Sequence, residues 1–161
     1  MGLACAPSDP GPTARERDQA RAAGQWVSAA IAERAHQPVC GTESPAPGAL
    51  PDLAMLVTVP QALSCRDLGF ALRRLPGKAE RTWVVVPLAD TADLCPFLRT
   101  ERVRLPVMGV PDPSRRLSAT RLVVAVRRER GTPDRHLYGA RGADLLRQLA
   151  PKAGIQSDAG P

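Results

Sequence analysis

The chain is poor in aromatic residues. Of its 161 residues only Trp26, Phe70, Trp83, Phe97 and Tyr138 are Phe, Trp or Tyr. Hydrophobic residues still make up 43%, so a core can form, but it must be built from Leu, Val and Ala. Lysine is scarce too: arginine outnumbers it twenty to two. Together with frequent Ala, that imbalance reads as the coding bias of a GC-rich bacterial host. The net charge is +6. Its basic residues come as scattered pairs, among them Arg73-Arg74, Arg115-Arg116 and Arg127-Arg128. They predict a solvated basic face, because a nucleic-acid surface would cluster its bases and interleave aromatics. No apolar run approaches the ~20 residues of a membrane span. A complete signal peptide is missing as well, since there is neither a charged leading segment nor an apolar run of about 7–15 residues. The four cysteines, Cys5, Cys40, Cys65 and Cys95, form no closely spaced pair, which argues against a zinc site. Gly-rich phosphate loops, G-x-S-x-G and H-E-x-x-H are absent, so no metal or cofactor is implied.

What is present is a chain whose 17 prolines and 13 glycines mark boundaries. Residues 1–12 read as a disordered Pro/Gly/Ser tail. Within it, Leu3-Ala4-Cys5 resembles the end of a bacterial lipoprotein signal, which would make Cys5 a lipid anchor. Thr13-Ala-Arg-Glu16 is a capping box. A helical arm over 13–36 follows, with Ala20, Ala23, Val27, Ile31 and Ala35 recurring at helical spacing. This face is shallow and Ala-rich, so the helix is expected on the outside of the domain, weakened at Gly24. Residues 37–52 read as a linker, because Pro38, Pro45, Pro47 and Pro51 forbid a helix.

A domain is expected over 53–150, followed by a disordered tail over 151–161. Leu53–Val59 is a near-continuous apolar run that fits a doubly buried strand ended by Pro60. A helix is expected from Ser64 as N-cap, with Asp67 at its third position and Leu68, Ala71, Leu72 and Leu75 facing inward. Thr82–Val86 is a second buried strand. Asp90–Asp93 opens a second helix with Leu94, Phe97 and Leu98 apolar and Pro96 near its first turn. Leu105–Val110 is a short extended piece and Arg121–Val126 a third strong strand. Gly131–Asp134 reads as a hairpin connection to a short strand over His136–Tyr138, with His136 at the surface. Gly142–Ala150 is the final helix. The first strand–helix–strand is then a right-handed parallel crossover, and the last two strands form an antiparallel hairpin.

This element order, with Cys65 at the start of the domain's first helix, resembles the thioredoxin fold. More narrowly it is similar to the redoxin branch, the bacterial thiol–disulfide interchange proteins and peroxiredoxins. Leu105-Pro-Val-Met-Gly-Val110 matches their extended Pro-Val segment, and Arg130–Asp134 with Tyr138-Gly139 matches their hairpin. The resemblance implies an α/β fold, a thioredoxin-like mixed sheet with helices on both faces, to which the N-terminal helix is added. The family's C-x-x-C is absent: with Cys65 as its first cysteine Leu68 stands at the second position, and with Cys65 as its second Ala62 stands at the first. No proline stands near Thr120, where the family places its cis-proline. The Pro and Thr that precede a peroxidatic cysteine are missing, as is the Trp beside it.

The resemblance makes Cys65 the candidate catalytic residue and implies a binding groove around Ala62, Ser64, Arg66 and Thr120. A thiol at a helix N-terminus would be activated by the exposed N–H groups, with Arg66 helping and Asp67 opposing. The bland alternative is an inert buried cysteine left from a dithiol ancestor. In the thioredoxin topology the first two helices lie on opposite faces, which separates Cys95 from Cys65. Cys40, on the linker, is then the thiol that could resolve Cys65 if the protein is exported. The leading expectation is a degenerate thioredoxin-like binding or accessory protein of the bacterial envelope or periplasm with an unidentified protein partner, touching the membrane only through Cys5. The alternatives are a single-cysteine oxidoreductase using Cys65, a basic module for nucleic acid or anionic lipid, and a cytoplasmic location.

Overall fold

The computed structural model describes residues 11–42, 44–64 and 67–150. Cys5, Cys65, Arg66 and the final tail lie outside the described residues. Helix α1 (Ala14–Ala32) starts at the expected capping box, in which Thr13 accepts from Glu16 N and Glu16 accepts from Thr13 N. There follow β1 (Gln37–Pro38), β2 (Leu53–Leu56), α2 (Val59–Leu63), α3 (Leu68–Leu72), β3 (Thr82–Pro87), α4 (Thr91–Thr100), β4 (Val107–Val110), β5 (Val123–Arg127), β6 (Arg135–Gly139) and α5 (Gly142–Leu149). The six strands form one mixed sheet in the order β1-β4-β3-β2-β5-β6. β2, β3 and β4 run parallel, and β5 and β6 form the expected antiparallel hairpin with β5 antiparallel to β2. Fold class is thus α/β, a mixed sheet with helices on both faces and an added N-terminal helix.

Because side chains alternate along a strand, the apolar runs serve two cores. Leu53, Met55, Val84, Val86, Val123 and Ala125 face one side, where α3 (Leu68, Ala71, Leu72), α4 (Leu94, Leu98) and α5 (Leu145, Leu149) pack. Ala54, Leu56, Trp83, Val85, Met108, Val110, Val124 and Val126 face the other side, where α1 lays down Ala20, Ala23, Val27, Ala30 and Ile31. The helix expected to lie shallowly outside is therefore the cover of a whole sheet face. Small alanines let it come close, while Val27 and Ile31 are fully buried. Each such aliphatic side chain contributes about 1.5–3 kcal/mol.

Three placements differ from expectation. First, α4 lies on the same face as α3. Leu105–Val110 supplies a true strand, β4, next to β3, so the steps β2→β3 and β3→β4 move the same way across the sheet. Two right-handed crossovers in one direction put their helices on one face. Second, the linker contributes an edge strand: Gln37 pairs with Gly109 and Pro38 with Met108. Proline is tolerated there because an edge strand needs only half of its backbone groups for the ladder. Third, the helix after β2 starts earlier and breaks in two. Thr58 and Gln61 make a capping box with Pro60 in the first turn, so Pro60 opens α2. Ser64 closes it as C-cap, and Asp67, at φ 55°, stands before α3.

Candidate functional site

Thr58 and Gln61, the two residues that start α2, are fully buried and serve as more than caps. Thr58 N donates to Gln61 Oε1 at 3.0 Å. Thr58 Oγ1 donates to Thr120 O at 2.7 Å, and Gln61 Nε2 donates to Leu122 O at 2.7 Å. This closed polar network pins α2 to the chain that enters β5. It also fixes the position of Thr120, whose hydroxyl donates to Arg116 O at 3.2 Å and whose side chain is wholly buried. Thr120 is therefore part of the scaffold and lines no open groove, a correction to the expected site.

Immediately after α2 the chain turns outward. The Ser64 hydroxyl is exposed and donates to Pro60 O, so Ser64 ends a helix instead of starting one. Cys65 accordingly follows a helix C-cap in the chain, and the first residue of α3 is Leu68. That order removes the argument that a helix N-terminus directly activates the Cys65 thiol.

Beside this break lies a cavity of about 310 Å³. Gln61 and Ala62 of α2, Asp67, and Leu68 and Phe70 of α3 form one wall, and Phe97 and Glu101 of α4 the other. Of the groove residues expected, Ala62 lines the cavity, and Ser64 is the exposed C-cap of α2. The shared face of α3 and α4 makes the cavity; had α4 crossed to the other face, Phe97 and Glu101 could not reach it. Large apolar side chains are exposed here: the lining residue Phe70 is 42% exposed, and Leu63, which follows the lining residue Ala62 in the chain, is 75% exposed. The guanidinium carbon of Arg74 sits 3.8 Å from the centre of the Phe70 ring and holds it upright by a cation–π contact. Arg73 NH1 donates to Glu101 O at 2.6 Å and to its Oε1 at 3.2 Å. Gly69 makes room for that carboxylate, since a Cβ there would fall 1.8 Å from Glu101 Oε1.

The cysteines are paired otherwise than expected. Cys40 is disulfide-bonded to Cys95, with the Cα atoms 5.4 Å apart. Cys40 is therefore not a free thiol that could resolve Cys65, and its bridge joins the edge segment to α4. The edge strand explains this: pairing of β1 with β4 carries Cys40 across to the helix that precedes β4.

His136 is also better placed than expected. It is half-buried beneath α1, with Nε2 2.8 Å from Ser28 Oγ. A Cβ at Gly24 would stand 3.2 Å from the His136 Cβ, so this glycine allows the helix to approach β6. The basic face is largely neutralised where its arginines gather. At the turn end of the β5–β6 hairpin Glu129 lies 3.8 Å from Arg127 and 4.0 Å from Arg135, and Asp134 lies 3.5 Å from Arg128. Among the described residues no group of three or more His, Cys, Asp or Glu side chains converges, and no helix is long and apolar enough to cross a membrane. Comparison with known proteins finds no matching family model, no matching curated protein and no matching solved structure.

Proposed function

We propose that the chain is a degenerate thioredoxin-like binding or accessory protein of the bacterial envelope. It holds an extended segment of a protein partner at the break between α2 and α3. The observation that carries this reading is the 310 Å³ cavity lined by the half-exposed Phe70, with the exposed Leu63 next in the chain to the lining residue Ala62. Exposed large apolar side chains around a concavity are a recurrent sign of a docking site. Strand order supports the thioredoxin-like part of the proposal: the β3-β2-β5-β6 core, with β5 and β6 antiparallel, has the arrangement that the resemblance implies. The shared face of α3 and α4 and the added β4 are departures from it. The Cys40–Cys95 disulfide supports an oxidising compartment.

The test is selection of a random peptide library on the immobilised protein. Enriched peptides should be rich in large apolar side chains. They should bind at least about tenfold more weakly to Leu63→Asp and Phe70→Asp, a loss of about 1.4 kcal/mol. No enrichment, or binding indifferent to both substitutions, would sink the reading. A second reading, a single-cysteine thiol–disulfide oxidoreductase, rests on Cys65, which lies in the chain between the cavity residues Ala62 and Asp67. Thiol labelling across pH, with Cys65→Ser subtracted, decides it: a labelling pKa at or above the ~8.5 of a free thiol removes the enzyme.

A further inference from the structure

Among the described residues, a cluster of buried polar groups without partners lies on the other face of the sheet from that cavity, where α1 ends and β1 begins. Helix α1 closes in a Schellman turn: Ala35 N donates to Ala30 O at 2.8 Å and Arg34 N to Ile31 O at 3.1 Å, with Arg34 at φ 57°. This turn delivers His36 onto Trp83. The two rings meet edge to face with centroids 4.9 Å apart. Both ring nitrogens of His36 are shut off from solvent and have no hydrogen-bond partner, and neither has Nε1 of the 1%-exposed Trp83. A neutral imidazole tolerates such a site, whereas an imidazolium would carry two N–H donors and a charge into it with no acceptor.

We propose that His36 is a proton-released latch. Neutral, it clamps the α1–β1 turn and the β1 edge strand onto Trp83; protonated, it leaves Trp83 and lets β1 part from β4. The groups that act on it are few. At the end of α1 stand Glu33 and Arg34, and the Arg34 charge opposes protonation, as does burial, the larger cause. The spans of β3 (Thr82–Pro87) and β4 (Val107–Val110) bring no ionisable side chain to it. Asp52 and Arg81, ahead of β2 and β3, face each other at 3.6 Å.

Opening is confined to a short segment. On one side α1 is held by Val27 and Ile31, both fully buried. On the other, the Cys40–Cys95 bridge holds the chain to α4. Between them β1 is two residues long and is extended by a single further bond, Val39 N to Val107 O at 2.9 Å. Released, it uncovers the outer backbone groups of β4, which another strand can pair with.

The sign of the pH dependence follows from the imidazole's lowered affinity for protons. The folded chain binds the His36 proton less readily than the unfolded chain, whose pKa is near 6.5. Closure is therefore fully present above that pH and is lost as pH falls below it. NMR on the full chain tests this, with the two histidines told apart by a His136→Gln variant. The His36 ring should titrate below 6.5. Exchange of the Val39 amide, corrected for its intrinsic pH dependence, should speed up at least about tenfold between about pH 7.5 and about pH 5. The Val57 amide, bonded to Val85 O at 2.9 Å in the sheet interior, should stay protected. In His36→Phe, which keeps a ring against Trp83 but cannot ionise, Val39 protection should be flat. The proposal is overturned if His36 titrates at or above 6.5, if Val39 protection does not change, if Val57 loses protection with it, or if His36→Phe opens in acid as the wild type does.

Discussion

Arg34 occupies a backbone conformation that suits glycine. At φ 57° it is the left-handed residue of the Schellman turn that ends α1. A side chain costs about 1 kcal/mol there, which glycine does not incur. Arg34→Gly should therefore stabilise the fold by about 0.5–1 kcal/mol, read as a higher urea midpoint with an unchanged slope. The opposite holds at Gln61. Its side chain serves Thr58 N and Leu122 O, both beyond the reach of water. Gln61→Leu keeps the bulk but orphans the two groups, at about 1–3 kcal/mol each. The expected loss is about 2–5 kcal/mol by denaturant titration; a loss within 0.5 kcal/mol, about the noise of a surface change, would mean that these bonds carry no net stability. Thr58-x-x-Gln61 is legible as a capping box, yet the apolar run continues through Val59 and draws the strand past its true end. Asp67 misleads in the same way, because its composition suits a cap while its left-handed φ belongs to a break.

Elements are readable where the hydrophobic period is unbroken. Thr13 and Glu16 mark the start of α1, the runs Thr82–Val86 and Arg121–Val126 lie within a residue or two of real strands, and Leu53–Val59 begins where β2 begins but runs three residues past its end. What local sequence could not carry was the side of the sheet on which a helix lies. That depends on whether the next strand continues the same direction, and Leu105–Val110 was too short to announce itself as sheet. The pairing of Cys40 depended on the same fact: only a chain in which β1 joins β4 brings it to Cys95. The disulfide spans 55 positions of sequence and anchors a segment with few other contacts. Cys40→Ser with Cys95→Ser should cost about 2–4 kcal/mol, mostly through the unfolded chain, and lower the melting temperature by roughly 5–15 °C. Calorimetry with and without a reductant gives the same comparison on the unaltered sequence. An unchanged melting temperature would show that the bridge constrains nothing.

For the molecule as a whole, the question is whether the helical arm is an appendage or a part of the core. The sheet is buried on both faces, but only one face receives helices from the segment that follows β2. The other relies on α1: over it lie Leu56, Trp83, Val85, Met108, Val124 and Val126, all almost completely buried. A chain beginning at residue 37 would present this face to water. Val27 and Ile31 alone bring about 3–6 kcal/mol of burial at ~1.5–3 kcal/mol each, before the uncovered partners are counted. Set against a typical domain stability of 5–15 kcal/mol, that loss removes much of what holds the fold. Residues 37–150 expressed alone should thus keep secondary structure but lose cooperative melting, lose the near-ultraviolet signal of buried Trp83, and bind a hydrophobic dye. Adding α1 as a separate peptide should restore these signals at high concentration, since the helix brings its own cap and apolar stripe. Cooperative unfolding of the truncated chain with a native Trp83 signal would instead mean that the sheet needs only one layer, and that the contacts of α1 are accessory.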